Sequence, residues 1–277
     1  MKKFWIIGHP LSFCLTTPVM NGAFKEMDFD GNFETHDLPP EDLPKVMEKL
    51  RNGELSGVVA TMPFKTPSLE YLDEASEEVK AVNAVNVILG EHSMKSSGLK
   101  KLHGYNTDWL GAKGAIEMVM PDLTGKKALI LGAGGAARAA AYALKKGGAH
   151  VDTWNRTPEK GKAFAEKMGL HYVEHLDSWG EEPDVIVNAT ASSDQSRQST
   201  LIPYRMWQRV QLALDAVYGK TSLFLEEAKA SNVPYVISGE MWFLKQVVPL
   251  FELITGKKAP VELMARLTAE AQEIQRT

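Results

Sequence analysis

Apolar and polar positions divide the chain into short buried runs separated by stretches of helical period. The first run is Phe4–Ile7, ended by the turn-forming Gly8-His9-Pro10. A helical pattern follows from about Pro18 to Met27, and Phe33–His36 has the character of a second strand. Between Pro40 and Arg51 the residues Val46, Met47 and Leu50 share one helical face. Gly57–Thr61 reads as a strand that stops at Met62-Pro63, and Ser68–Val79 as a further helix. Ala84–Leu89 is an apolar run that leads into a polar, hairpin-like stretch, Gly90–Lys101. Strands alternating with helices imply a parallel or mixed α/β sheet.

The middle of the chain repeats that rhythm more regularly. Lys126–Leu131 is a buried-strand run that passes directly into Gly132-Ala133-Gly134-Gly135-Ala136-Ala137 and an alanine-rich helix, which Gly147-Gly148 stops near Lys146. Val151–Trp154 is the next strand, and Asn155-Arg156-Thr157-Pro158 opens another helix. Asp184–Asn188 and Leu212–Val217 read as later strands, with Ala191–Thr200 as a polar surface loop. A βα unit repeated in this way fits a dinucleotide-binding fold. The last forty residues or so are helical, Glu240–Thr255 stopped by Gly256 and then Val261–Ile274.

Composition narrows the function without choosing it. A chain of 277 residues is comfortable as two domains, and 44% hydrophobic with 24% charged residues is ordinary for a protein with a real core. A net charge of −4 advertises no basic field to nucleic acid or to an anionic membrane. The apolar run at the N-terminus is too short for a signal peptide or a membrane span, so a cytoplasmic protein is expected. Cys14 is the one cysteine, and the seven histidines show no metal-ligand spacing, so neither a disulfide framework nor a metal site is expected.

Four segments carry candidate chemistry. In Gly132-x-Gly134-x-x-Ala137 the first glycine permits a tight turn and the second lets backbone approach a pyrophosphate. The small third position packs helix on strand, and the helix N-terminus offers amide donors; a purely structural βα turn has the same look. The next strand ends in Asn155-Arg156-Thr157, where an NAD site would place a carboxylate. An arginine there can stack on adenine and clamp a 2′-phosphate, so NADP is expected rather than NAD. The plain alternative is a solvated Arg156 with Thr157 capping the following helix and Pro158 at its first position. Asp152 lies within the strand and not at its tip, which points it elsewhere. Lys65 in Thr61-Met62-Pro63-Phe64-Lys65 sits in a stiff, apolar turn and can exchange a proton with an alcohol as its hydride leaves. Alone it also reads as a surface lysine. Asp108, in Asn106-Thr107-Asp108, stands before a helical run, where Thr107 or Asp108 reads as an N-cap and Asp108 as a partner for Lys65.

Taken together and in chain order, these segments resemble the shikimate dehydrogenase family. Gly8-His9-Pro10 is similar to its N-terminal Gly-x-Pro segment, and Thr61–Lys65 to its Thr-x-Pro-Phe-Lys segment, whose lysine is catalytic. Ala84-Val85-Asn86 is similar to the segment whose asparagine binds substrate, and Asn106-Thr107-Asp108 to the one whose aspartate partners the lysine. Gly132–Ala137 and Asn155-Arg156-Thr157 look like the cofactor loop and its neighbour. Asp215-x-x-Tyr218, Gly239-x-Met241 and Gln246 look like the remaining substrate and nicotinamide-side contacts.

The resemblance implies an α/β fold of two domains. A substrate domain would span 1–108 and be completed by helices from 241–277, and a Rossmann domain would span 109–240. It implies Lys65 and Asp108 as catalytic, with Cys14, Thr16, Thr61, Asn86, Tyr218 and Gln246 on the substrate. Gly132, Ala133, Gly134, Gly135, Ala136, Asn155, Arg156, Thr157, Thr190 and Gly239 would hold NADP. The implied reaction is hydride transfer between NADP(H) and a ring hydroxyl or ketone of a small carboxylated cyclic polyol. The implied protein is a monomer or homodimer that binds neither nucleic acid nor membrane.

Four departures from the pattern leave the substrate open. The family's Ser-x-Ser before proline, which binds the substrate carboxylate, is here Cys14-Leu15-Thr16-Thr17-Pro18, where Cys14 offers only a weak donor. Val59 stands where an asparagine is frequent, Ala191-Ser192-Ser193-Asp194 replaces the usual Gly-Met, and Gly219-Lys220 follows Tyr218 in place of x-Pro. The hydride machinery is present and the carboxylate anchor is altered, so shikimate, quinate and aminoshikimate all stay open. Two other readings are a non-catalytic NADP-binding regulator, against which the retention of Lys65 and Asp108 argues, and another Rossmann enzyme such as a methylene-folate dehydrogenase.

Overall fold

The computed structural model describes residues 1–11, 14–92, 98–190, 202–218 and 222–276. In chain order it builds β1 (Lys2–Gly8), α1 (Thr16–Glu26), β2 (Gly31–Asp37), α2 (Leu43–Arg51), β3 (Gly57–Ala60), β4 (Glu74–Ala75), α3 (Glu77–Val82), β5 (Val87–His92) and β6 (Lys100–Tyr105). It continues with α4 (Asp108–Glu117), β7 (Lys127–Leu131), α5 (Gly135–Lys146), β8 (His150–Trp154), α6 (Pro158–Met168), β9 (His171–Tyr172), β10 (Val185–Asn188), β11 (Leu212–Asp215), α7 (Leu223–Ala230) and β12 (Tyr235–Ile237). Two helices close the chain, α8 (Gly239–Thr255) and α9 (Val261–Arg276).

The chain divides into two compact units, Met1–Thr107 with Gln246–Thr277, and Asp108–Lys245. The first is a mixed sheet of order β2-β1-β3-β5-β6-β4. Its β2, β1 and β3 run parallel, while β5 and β6 form an antiparallel hairpin against β3. Ile7, Met47, Leu50, Phe64, Ile88 and Leu102 fill the core under α2. The second unit is a fully parallel sheet of order β12-β11-β10-β7-β8-β9. Counted from β7 as the first strand, this is the doubly wound order with its reversal between β7 and β10, where such folds bind dinucleotides.

One element departs from the apolar pattern. Ser68–Val79 is not a continuous helix: a 3₁₀ turn at Pro67–Tyr71 gives way to β4 and then to α3. The cause is tertiary. Asp73 receives Arg51 at 2.7 Å and the Leu102 amide at 2.7 Å, which draws the chain into extended pairing with β6. Ser76 then restarts a helix by accepting from the Val79 amide at 3.3 Å. Strands β9 and β12, of two and three residues, carry too short an apolar signal to be read from sequence. The stretch Ala191–Thr200 and residues Gly219 and Lys220 lie outside the described residues.

Candidate active site

In the first unit, β3 delivers the chain to a turn at its carboxyl end. The Thr61 amide donates to Ile7 O at 2.9 Å and the Phe64 amide to Thr61 O at 2.7 Å, closing the turn that contains Met62 and Pro63. Phe64 is 1% exposed and anchors the turn in the core, while the Lys65 carbonyl accepts from the Val85 amide at 2.9 Å. Lys65 is thus fixed through its backbone, with a partly exposed side chain.

Asn86 is fully buried; its Nδ2 donates to Thr107 Oγ1 at 3.0 Å and its Oδ1 accepts from the Thr107 amide at 2.8 Å. Asn106 Nδ2 donates to Ala84 O at 2.9 Å, so the Ala84–Asn86 and Asn106–Thr107 segments are bound to each other. The Thr107 hydroxyl, read from sequence as a possible helix cap, is therefore engaged by Asn86. The helix itself begins at Asp108.

Cys14 and Thr16 are both buried at the start of α1. Burial pushes the Cys14 thiol above its usual value, although hydrogen bonding to Thr16 and to the Thr17 backbone acts the other way. Thr17, one residue along, shares a 2.6 Å hydroxyl–hydroxyl hydrogen bond with Thr35. Gln246 is the first residue of the C-terminal segment that returns to this unit, and is partly exposed.

In the second unit, the Gly132 amide donates to Trp154 O at 2.8 Å, and its carbonyl accepts from the fully buried Thr153 hydroxyl at 3.3 Å. Gly132 has φ +115°, and a Cβ there would lie 2.7 Å from Ala189 O; only glycine fits. A Cβ on Gly134 would meet nothing within 4 Å, which leaves open space at the N-terminus of α5. That helix has no acidic residue in its first turn and two lysines in its last, so its positive end is uncompensated where a phosphate would sit. Ala133, Gly135 and Ala136 are partly exposed around it.

At the tip of β8, Arg156 and Thr157 are exposed, and Asn155 Nδ2 donates to Thr157 O at 2.8 Å. Thr157 occupies the N-cap position with Pro158 at the first helical position, but its side chain makes no capping hydrogen bond. Asp152 lies 3.4 Å from His171 Nδ1, within the sheet and away from the strand tip. Asp108 is 2% exposed, and its backbone carbonyl accepts from the buried Trp242 indole at 3.1 Å. Thr190 is bonded to Asn188, Tyr218 packs 5.7 Å from Phe243, and Gly239 abuts Val217.

Three residues left out of the expected site stand out: Asn188 and Trp242, given no role from sequence, and Asp215, named there only as the first member of the Asp215-x-x-Tyr218 segment. A polar residue at the end of each apolar strand, Val185–Val187 and Leu212–Leu214, was the available signal for Asn188 and Asp215. Among the described residues there is no group of three or more histidine, cysteine or acidic residues able to hold a metal. Nor, among those residues, is any helix long and apolar enough to cross a membrane.

Comparison with known proteins matches both units. Residues 6–88 fit the shikimate dehydrogenase substrate binding domain and residues 115–210 the shikimate / quinate 5-dehydrogenase domain. A shikimate dehydrogenase (NADP(+)) of Pyrococcus abyssi is 35% identical over 98% of each chain, and one of Aquifex aeolicus 30% identical over 96% and 95%. Among solved structures, the Thermus thermophilus shikimate 5-dehydrogenase in complex with NADP(H) and shikimate superposes with a TM-score of 0.82 at 33% identity. That match covers 98% of this chain and 100% of the other. With one relative of this kind matched from end to end and both family domains found in their expected order, the chain belongs to the shikimate dehydrogenase family.

Proposed function

We propose that the chain is an NADP-dependent oxidoreductase that interconverts shikimate and 3-dehydroshikimate. The observation that carries this is the combination, in one chain, of the Gly132–Ala137 cradle, a β8 tip bearing Arg156 and no carboxylate, and Lys65 fixed at the carboxyl end of β3. The relatives named above are NADP-dependent shikimate dehydrogenases, and one was solved with both ligands. The single, buried cysteine and net charge of −4 fit a cytoplasmic protein, working as a monomer or homodimer.

The residues present fit the cofactor. Open space at Gly134 and the uncompensated N-terminus of α5 suit a pyrophosphate, with Ala133, Gly135 and Ala136 lining its approach. Arg156, with Asn155 and Thr157, would hold the 2′-phosphate, and Thr190 and Gly239 the nicotinamide side. NADP supplies a hydride acceptor or donor when bound. As the C–H electron pair leaves the carbinol carbon, Lys65 takes the hydroxyl proton, and in the reverse direction it returns that proton to the carbonyl oxygen. We assign the accompanying carboxylate role to Asp108, and polar contacts to the substrate ring to Thr61, Asn86, Tyr218 and Gln246.

The substrate carboxylate is assigned to the Cys14–Thr16 segment. Cys14→Ser is expected to lower the shikimate KM by up to about tenfold, because a hydroxyl replaces a weak donor to a charged group. The turnover number should stay unchanged, since a remote contact is made about equally in ground and transition states. An unchanged KM with a lowered Tm would instead move the anchor to Thr17.

The substrate assignment is tested by offering shikimate, quinate and an aminoshikimate with NADP and with NAD, and following dinucleotide reduction. The highest kcat/KM is expected for shikimate with NADP. A higher value for quinate or for NAD would overturn the corresponding half of the assignment.

A further inference from the structure

Strands β10 and β11 end side by side, with Asn188 and Asp215 directly opposite in register. Neighbouring residues at matched positions project to the same face, and here the two side chains meet: Asn188 Nδ2 donates to Asp215 Oδ1 at 3.2 Å. Each then reaches forward along its own chain. Asn188 Oδ1 accepts from the Thr190 amide at 3.2 Å and the Thr190 hydroxyl at 2.7 Å. Asp215 Oδ1 accepts from the Val217 amide at 3.0 Å. Asn188 is 7% exposed and Asp215 not at all, so a fully buried carboxylate joins the two strand ends.

The loops so held face the two glycines of the unit that press most closely on backbone. Gly132 looks onto Ala189 and Thr190, and Gly239 onto Val217 and Tyr218, at distances no side chain would tolerate. A buried carboxylate is costly: burial pushes Asp215 above the usual carboxylate range despite hydrogen bonds from Ser222, Val217 and Asn188. Apolar residues at both strand ends would satisfy the sheet as well, so stability alone does not account for the pair.

We propose that Asn188 and Asp215 are positioning residues. Their one side-chain bond fixes Thr190 against the Gly132 turn and the Val217–Tyr218 segment against Gly239, setting two ligand-contacting loops together without touching ligand. Asn188 acts through Thr190 on the cofactor, and Asp215 acts on Asn188 and on Tyr218. The role rests on the assignment of the Gly132 cradle to NADP, and the test separates the two.

NADP is titrated into the purified full-length chain by calorimetry, with Tm measured on each variant. Asn188→Leu keeps the shape and removes all three hydrogen bonds, and it should weaken NADP binding about tenfold or more. Thr190→Val should weaken it by a similar factor, and the double variant should be little worse than either single one, because the two act as a unit. Asp215→Asn keeps the acceptor for Asn188 and Val217 and should bind NADP like wild type, whereas Asp215→Leu should weaken NADP and raise the shikimate KM together. If Asn188→Leu does not fold, Asn188→Ser takes its place in the same cycle.

Folded Asn188 variants that bind NADP as tightly as wild type, or a double variant whose loss is the product of the single losses, would overturn the positioning role while leaving the cofactor assignment standing. Wild-type protein that takes up no NADP would overturn both.

Discussion

Replacing Lys65 by alanine should lower kcat for shikimate oxidation by about 10²–10⁴-fold, the range over which a positioned acid–base group contributes. NADP affinity should be unchanged, because the lysine acts on the alcohol proton and not on the nucleotide. The turn that carries it should survive. Its hydrogen bonds run through the backbone, from Thr61 to Ile7, Phe64 to Thr61 and Val85 to Lys65. Its anchor is the buried Phe64, which the substitution does not touch. A normal Tm with a collapsed kcat is therefore the expected signature. Near-normal turnover would remove Lys65 from the chemistry. Asp108→Asn should also be slow and less severe, since it keeps the size and hydrogen-bonding reach of the side chain and changes its charge.

The second large effect concerns the cofactor. Arg156→Ala should raise the NADP KM by about 10- to 150-fold and move that for NAD little, a charged hydrogen bond being worth about 1.5–3 kcal/mol. Arg156 is exposed at the tip of β8, so solvent screening places the effect toward the lower end of that range. Asp152 offers no competing ribose contact, being engaged near His171. A wild-type preference for NAD, with Arg156→Ala silent, would sink the 2′-phosphate assignment.

The parallel sheet was the most legible part of the fold. Its central strands β7, β10 and β11 are nearly continuous apolar runs, because both faces of a parallel sheet are covered, and β7 and β8 lead into helices with a clear start or stop. Gly132 was legible for a similar reason: a turn needing positive φ and a close backbone approach admits one residue type. What stayed hidden depends on distant partners. The break in Ser68–Val79 is made by Arg51 and Leu102 acting on Asp73, and neither is a local neighbour in sequence. Asn188 is an unremarkable strand-end residue, and Asp215 no more than the first member of the Asp215-x-x-Tyr218 segment, until the register of β10 and β11 sets them opposite each other. The Trp242 bond to the Asp108 carbonyl links helices that are far apart in the chain, so no spacing rule would reveal it. The altered Cys14–Thr16 segment was visible as a departure from the family pattern, but its burial was not.

The most direct measurement is consumption of NADPH by the purified protein supplied with 3-dehydroshikimate, followed at the nicotinamide absorbance band with the product identified by chromatography. The expected result is one shikimate formed per NADPH consumed, with Lys65→Ala slower by orders of magnitude in the same assay. Wild-type protein that is folded, binds NADPH and leaves both 3-dehydroshikimate and NADPH unconsumed would contradict it.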